Sequence, residues 1–303
     1  MRDPYGCPRV GSHLGHFLLR GRIRHSTIGQ VYAAVNTRRR QSVALKVATG
    51  GWSQDPGMRR WWPGEIPALA QIREEHLVRI HDWGEIDGHL FVEMDLIKGP
   101  GLDTLLARHQ GLLTPERSAT VITHVAAALD GMHRAGMIHR DVRPSKILVA
   151  PDGVAHLLPL GMATLGPILN GLGSEPFWQP QWAYWGPETF TGKGDETTRL
   201  DTYSLACVLY ECLTGSTPYT GSQAEIITGH LTKPVPPPST SRRAVPVGLD
   251  VVIARGLAKN PADRYASAGE FARAVAYLPP PGSDAPAMTW EPRSRCAELN
   301  ITD

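Results

Sequence analysis

Apolar and polar residues alternate along much of 17–47, the period of strands with one buried face. The stretches Gln30-Val31-Tyr32-Ala33-Ala34-Val35 and Ser42-Val43-Ala44-Leu45-Lys46-Val47 are predicted as strands with a polar turn between them. A second pair, 78–83 and 89–94, is joined by Glu85-Ile86-Asp87-Gly88. After Gly99-Pro100-Gly101 the period becomes helical. A short helix is predicted over 102–109. Thr114-Pro115-Glu116 opens a longer one, with Thr as N-cap and Pro in the first turn. Val121, Val125, Ala128, Leu129 and Met132 carry that helix to about residue 135 at helical spacing. Further helices are predicted over 199–214, 222–231, 247–258 and 267–278. Residues 1–13 read as irregular, and the Pro-rich tail 279–303 as disordered. No internal repeat is visible. The plan is a small β-rich lobe, 14–97, followed by a larger helical lobe, 98–278.

Composition narrows the function classes. The 303 residues are 42% hydrophobic and 20% charged, with a formal net charge of +2. That balance offers no basis for a nucleic-acid or membrane-surface partner. Arg38-Arg39-Arg40 lies between two predicted strands and reads as a solvated hairpin turn. The four cysteines, Cys7, Cys207, Cys212 and Cys296, form no CxxC pair, so neither a disulfide framework nor a zinc site is expected. The 12 histidines include no pair at zincin spacing. No apolar run is long enough to span a bilayer, and residues 1–9 lack the apolar core of a signal peptide. The expectation is a soluble, cytoplasmic chain; Asn300-Ile301-Thr302 matches a glycosylation sequon but means little without a secretory signal.

Five motifs then occur in a fixed order: Val43-Ala44-Leu45-Lys46, His139-Arg140-Asp141, Gly186-Pro187-Glu188, Asp201-Thr202-Tyr203-Ser204-Leu205 and Asn260-Pro261-Ala262-Asp263-Arg264-Tyr265. Together they resemble the bacterial eukaryote-like (Hanks-type) Ser/Thr protein kinase domain. Leu213-Thr214-Gly215 and Pro218-Tyr219-Thr220-Gly221 point to the same branch. The resemblance implies an α+β, protein-kinase-like bilobal fold with a β-rich N-lobe and a helical C-lobe. It implies that Lys46 faces the α- and β-phosphates of a nucleotide, that Asp141 sits at the catalytic-base position, and that Arg264 pairs with Glu188.

The same resemblance exposes departures from a working kinase. The Gly-rich loop positions hold Arg24, Ser26 and Gly29, so only the third glycine survives. Glu65 is the carboxylate whose spacing suits a partner for Lys46, but it stands in Pro63-Gly64-Glu65-Ile66-Pro67. Proline in a helix interior costs about 3 kcal/mol, so a broken or shortened helix is expected, starting at Pro67 and leaving Glu65 outside. Arg143 replaces the catalytic-loop lysine, keeping charge but not geometry. Lys146 takes the place of a magnesium-binding asparagine, and an ammonium has no lone pair for a metal. Pro159-Leu160-Gly161 stands where Asp-Phe-Gly belongs, removing the second metal ligand. Gln181 occupies the usual activation-segment threonine position. Trp178, Trp182 and Trp185 crowd that segment, packing into the core or forming a docking surface.

What the resemblance leaves intact is an apolar adenine cleft: Val31 and Ala44 as roof, Leu148 as floor, Met94 as gatekeeper, Asp95-Leu96-Ile97 as hinge. Lys46 and Lys146 would offset phosphate charge. ATP or ADP is expected to bind weakly and without Mg²⁺, set against an empty cleft. Two functions remain open. One is a pseudokinase acting as a regulatory or scaffold module for a signalling protein or an active kinase. The other is an atypical, weakly active Ser/Thr kinase with Asp141 as base and Lys46, Lys146 and Arg143 neutralising charge. Some other transfer chemistry on a nucleotide would share the cleft but has no distinctive residues.

Overall fold

The β-branched and aromatic residues between His13 and Asp95 pair into one six-stranded antiparallel sheet. A computed structural model describes residues 8–26, 29–48, 50–108, 112–159, 181–191 and 197–277. The strands are β1 (His13–Leu14), β2 (Phe17–Ser26), β3 (Gly29–Asn36), β4 (Gln41–Ala48), β5 (Ile80–Ile86) and β6 (His89–Asp95), in spatial order β1-β2-β3-β4-β6-β5. Period-two alternation sorts their side chains. Phe17, Leu19, Tyr32, Ala34, Leu45, Val47 and Phe91 form one apolar layer. Ala44, Val92 and Met94 join the larger core shared with the helices. The register sets Lys46 between Val31 and Val92.

The basic run 38–40 is a hairpin turn, as expected. Asn36 Oδ1 accepts the backbone N–H of Arg38 and of Arg39 at 3.1 Å, and Arg40 turns the chain at φ 54°. Arg39 folds back onto the buried Glu93 at 2.7 Å. The β5–β6 turn is tighter than the four residues expected. Strand β5 continues through Ile86, and Asp87-Gly88, both at positive φ, make the turn.

The helix preceding β5 departs from expectation. Helix α1 (Pro56–Gln71) runs unbroken through Pro63, Glu65 and Pro67, so it neither starts at Pro67 nor leaves Glu65 outside. Its start is Asp55, whose Oδ1 accepts Met58 N–H at 2.8 Å, with Pro56 in the first turn. Two interior prolines together cost about 6 kcal/mol. Against that, Met58, Trp62, Ile66 and Leu69 form one buried stripe, and fully burying each contributes roughly 1.5–3 kcal/mol. Trp62 also donates its indole N–H to the Phe91 carbonyl at 3.2 Å. Burial therefore outweighs propensity. Since Pro63 is exposed, Pro63→Ala is expected to stabilise the chain by about 1–3 kcal/mol, read as a higher urea midpoint at unchanged slope.

The C-lobe follows the predicted periods closely. It contains α2 (Leu102–Arg108), α3 (Pro115–Arg134), α4 (Pro187–Thr191), α5 (Arg199–Thr214), α6 (Gln223–Thr232), α7 (Pro238–Ser241), α8 (Gly248–Gly256) and α9 (Ala268–Ala276). Thr114 caps α3 by accepting Arg117 N–H, as the sequence implied. Ser222 and Glu225 close a capping box on α6. Helix α5 is buried almost all round, the mark of a helix at the centre of a lobe. A small hairpin, β7 (Ile147–Val149) with β8 (Ala155–Leu157), lies beneath the large sheet. Val78 N–H donates to Leu157 O, and Leu157 N–H to His76 O, tying the two lobes together. Among the described residues no helix is long and apolar enough to cross a membrane. The expectations for residues 1–7, Leu160, Gly161, Trp178 and the tail 279–303 lie outside the described residues.

Candidate functional site

Between the sheet and the helical lobe lies a cavity of about 590 Å³. Val31 lines it from β3, Ala44 and Lys46 from β4, Met94 from the end of β6, and Leu96 from the segment that follows. Leu148 on β7, with Lys146 and Arg143 just before it, closes the opposite wall. Seven of the eight residues expected to contact a nucleotide thus share one space. The eighth, Glu65, does not line the cavity. Among the described residues it makes no ion pair with Lys46, whose charged neighbours are Lys146 and Asp141. The pair is unmade although the helix is whole. Core packing of Trp62 and Ile66 sets the rotation of α1, and Glu65 goes where that rotation takes it.

The catalytic-loop segment is held from below by Asp201, fully buried on α5. Its Oδ2 accepts the backbone N–H of His139 at 2.8 Å and His133 Nε2–H at 2.7 Å; its Oδ1 accepts Arg140 N–H at 2.8 Å. This bidentate grip holds Arg140 at φ 61°, a left-handed conformation that costs a non-glycine residue about 1–3 kcal/mol. His139 Nε2–H donates to Leu158 O at 2.8 Å, while Nδ1 accepts Asp141 N–H at 3.2 Å. That pattern requires neutral imidazole, consistent with the downward pKa shift that burial gives it.

Asp141 is buried, and both its carboxylate oxygens face cations. Arg143 Nε donates to Oδ1 at 2.7 Å, and Lys146 Nζ lies 3.3 Å from Oδ2. The ammonium of Lys146 therefore stands against the carboxylate that the resemblance places at the catalytic-base position. Burial lowers the pKa of Lys146, Asp141 opposes that, and Arg143 adds to it. Lys46 is pulled down to about 7, chiefly by burial and then by the charge of Lys146, with Asp141 acting the other way. Pro159, where the resemblance implies a second metal ligand, is buried and has no side-chain oxygen.

Sequence reasoning missed several residues of the cavity. Ile23, His25, Asp103 and Ser145 line it too. Arg24, noted as a departure from the Gly-rich loop, reaches across the cleft to Asp103 and Ser145. Gly101, two residues before Asp103, was the one signal available. A Cβ there would collide with Asp103 and stand 2.8 Å from Arg24 Nη2.

Elsewhere in the helical lobe, Glu188 and Arg264 meet as the resemblance implied, at 2.6 and 2.7 Å in a two-pronged contact. Gln181 is buried, and Trp182 and Trp185 are half-buried, Trp185 against Phe190. Both readings, packing and a docking surface, stay open for these two tryptophans, each of which keeps part of its surface exposed.

Comparisons with known proteins agree with this arrangement. A family model described as protein kinase domain matches residues 22–270. Serine/threonine-protein kinase PknH of Mycobacterium bovis is 43% identical over 271 residues, which cover 88% of this chain and 44% of that protein. Serine/threonine-protein kinase PknE of Mycobacterium tuberculosis is 42% identical over 269 residues, covering 88% and 47%. The chain spans less than half the length of these relatives. Among solved structures, the kinase domain of M. tuberculosis PknI is similar at a TM-score of 0.70 with 29% identity, over 89% of this chain and 98% of that one.

Proposed function

The chain belongs to the protein kinase family, and from that premise we propose that it is a pseudokinase. In this reading its cleft binds ATP or ADP weakly through its own cations, without Mg²⁺, and the domain serves as a regulatory or scaffold module for a partner protein. The observation that carries the reading is the Lys146 ammonium, 3.3 Å from Asp141 Oδ2, at the position of a metal-binding asparagine. A monovalent cation fixed there neutralises part of the phosphate charge and repels a divalent one. Pro159 supplies no second ligand.

The test is titration of a fluorescent ATP analogue in EDTA and again with Mg²⁺. Saturation at equal affinity in both supports the reading; no saturable signal at millimolar nucleotide, or binding only with Mg²⁺, overturns it. The pH dependence adds a further expectation. Lys46, with its pKa near 7, must be protonated to attract phosphate. Affinity in EDTA should therefore rise as pH falls through the range above that value, by at most about tenfold per unit. Phosphate keeps its charge over the same range, its own second pKa being about 6. Lys46→Met should flatten the profile.

A second reading has its own support. Two relatives bear the name serine/threonine-protein kinase, and Asp141 is retained. Weak phosphoryl transfer would be lost on Asp141→Asn, and labelled phosphate incorporated by wild type but not by that variant would favour it.

A further inference from the structure

The first glycine position of the loop that normally lies over the phosphates is Arg24, and its guanidinium is not idle. Nη1 donates to the Ser145 carbonyl at 2.5 Å. Nη2 lies 3.3 Å from both oxygens of Asp103. One side chain on β2 thus bridges the mouth of the cleft to two separate segments of the helical lobe, the start of α2 and the residue preceding Lys146. The site is shaped for this bridge. Gly101 leaves the space that the Arg24–Asp103 pair fills. Asp103 is also held by Thr104 N–H, which donates to Oδ1 at 2.8 Å, so the carboxylate keeps a partner if the guanidinium leaves.

The bridge is exchangeable. The Arg24 and Asp103 side chains are 35% and 41% exposed, and pairs this exposed are weak because water screens them and two long side chains lose freedom. An anionic ligand beneath Arg24 offers the same planar fork a better match, two charge-assisted bonds to phosphate oxygens. The cavity leans toward anions: Arg24, Lys46, Arg143 and Lys146 line it against Asp95 and Asp103, with Asp141 in contact with Arg143 and Lys146.

We propose that Arg24 is a latch across the cleft that sets specificity: a ligand enters by displacing it from Asp103 and the Ser145 carbonyl, and only a ligand with a polyphosphate tail recovers the guanidinium as a new partner. Adenosine breaks the latch and gains nothing from Arg24. ATP breaks it and binds the released fork. The inference rests on the nucleotide-binding reading above and adds to it the residue that discriminates among adenine ligands.

The experiment measures dissociation constants of adenosine and ATP in EDTA for the wild-type chain, Arg24→Ala and Asp103→Asn. Arg24→Ala should tighten adenosine a few-fold, by removing the barrier, and weaken ATP about tenfold, by removing the fork. The ATP-to-adenosine preference should therefore collapse. Asp103→Asn removes one of the latch's two anchors, leaving the Ser145 carbonyl, and keeps the fork, so both ligands should tighten, though adenosine less than in Arg24→Ala. An ATP-to-adenosine ratio within about twofold of wild type in Arg24→Ala, while wild type binds ATP, overturns the latch and leaves the nucleotide reading standing. Wild type that binds neither ligand overturns both.

Discussion

Replacing Lys146 by asparagine and Pro159 by aspartate together is expected to make nucleotide binding depend on Mg²⁺. Asparagine offers a carbonyl oxygen where an ammonium now stands, and aspartate offers a carboxylate where a ring now stands. Lys146→Asn also removes the cation from Asp141 Oδ2. Wild type should bind ATP equally with and without Mg²⁺, and the double variant should bind it at least about tenfold tighter with the metal, on the scale of ligand effects on metal affinity. Each single variant should fall short, because one added oxygen does not hold the ion. Phosphoryl transfer makes the same point in rate. If each ligand contributes about 3 kcal/mol to the transition state, the loss of two lowers turnover by on the order of 10⁴-fold. The double variant should not regain all of it, because Lys46 and Glu65 remain unpaired. Isothermal titration with and without metal gives the answer directly. Mg²⁺ enhancement already present in wild type would show that other side chains hold the ion and would refute the pseudokinase reading.

The residues that could be read from sequence are those whose role is fixed by local pattern. Thr114 caps α3, residues 199–214 form one helix, and Lys46 lies on a central strand because capping chemistry and periodicity act over a few residues. What could not be read depends on competition or on distance. The prolines of α1 are a case of competition. Propensity alone breaks the helix, and only the burial of Met58, Trp62, Ile66 and Leu69 against the sheet keeps it whole. The Arg24 bridge is a case of distance. Arg24 is 79 residues from Asp103 and 121 from Ser145, and only Gly101, two residues before Asp103, hints locally at the contact. The Lys146–Asp141 pair lies between. Its residues are close in sequence and their types were noted, but their meeting depends on the grip of Asp201 beneath the loop.

Arg264→Ala is expected to be the most destabilising single substitution of a charged residue among those argued here, at about 3–5 kcal/mol, because it strands a carboxylate inside the protein. Arg264 is 2% exposed. Its Nη1 and Nη2 bind the two oxygens of Glu188 at 2.6 and 2.7 Å, its Nε donates to Ala258 O at 2.8 Å, and its guanidinium lies 4.6 Å from the Tyr203 ring centroid. One side chain thus joins α4, the loop after α8, and the central helix α5. Against a total stability of about 5–15 kcal/mol, losing that much leaves a chain near its unfolding threshold. The contrast with Arg24 is instructive, since the same residue type half-exposed is expected to matter by no more than about 1 kcal/mol to stability. Urea denaturation of both alanine variants measures the difference. Truncating both partners, Arg264→Ala with Glu188→Ala, should cost clearly less than the sum of the singles, because the second change removes the stranded charge left by the first. Strict additivity in that cycle would mean that the two groups act on the fold independently, and the pair would then not be what holds α4 against α5.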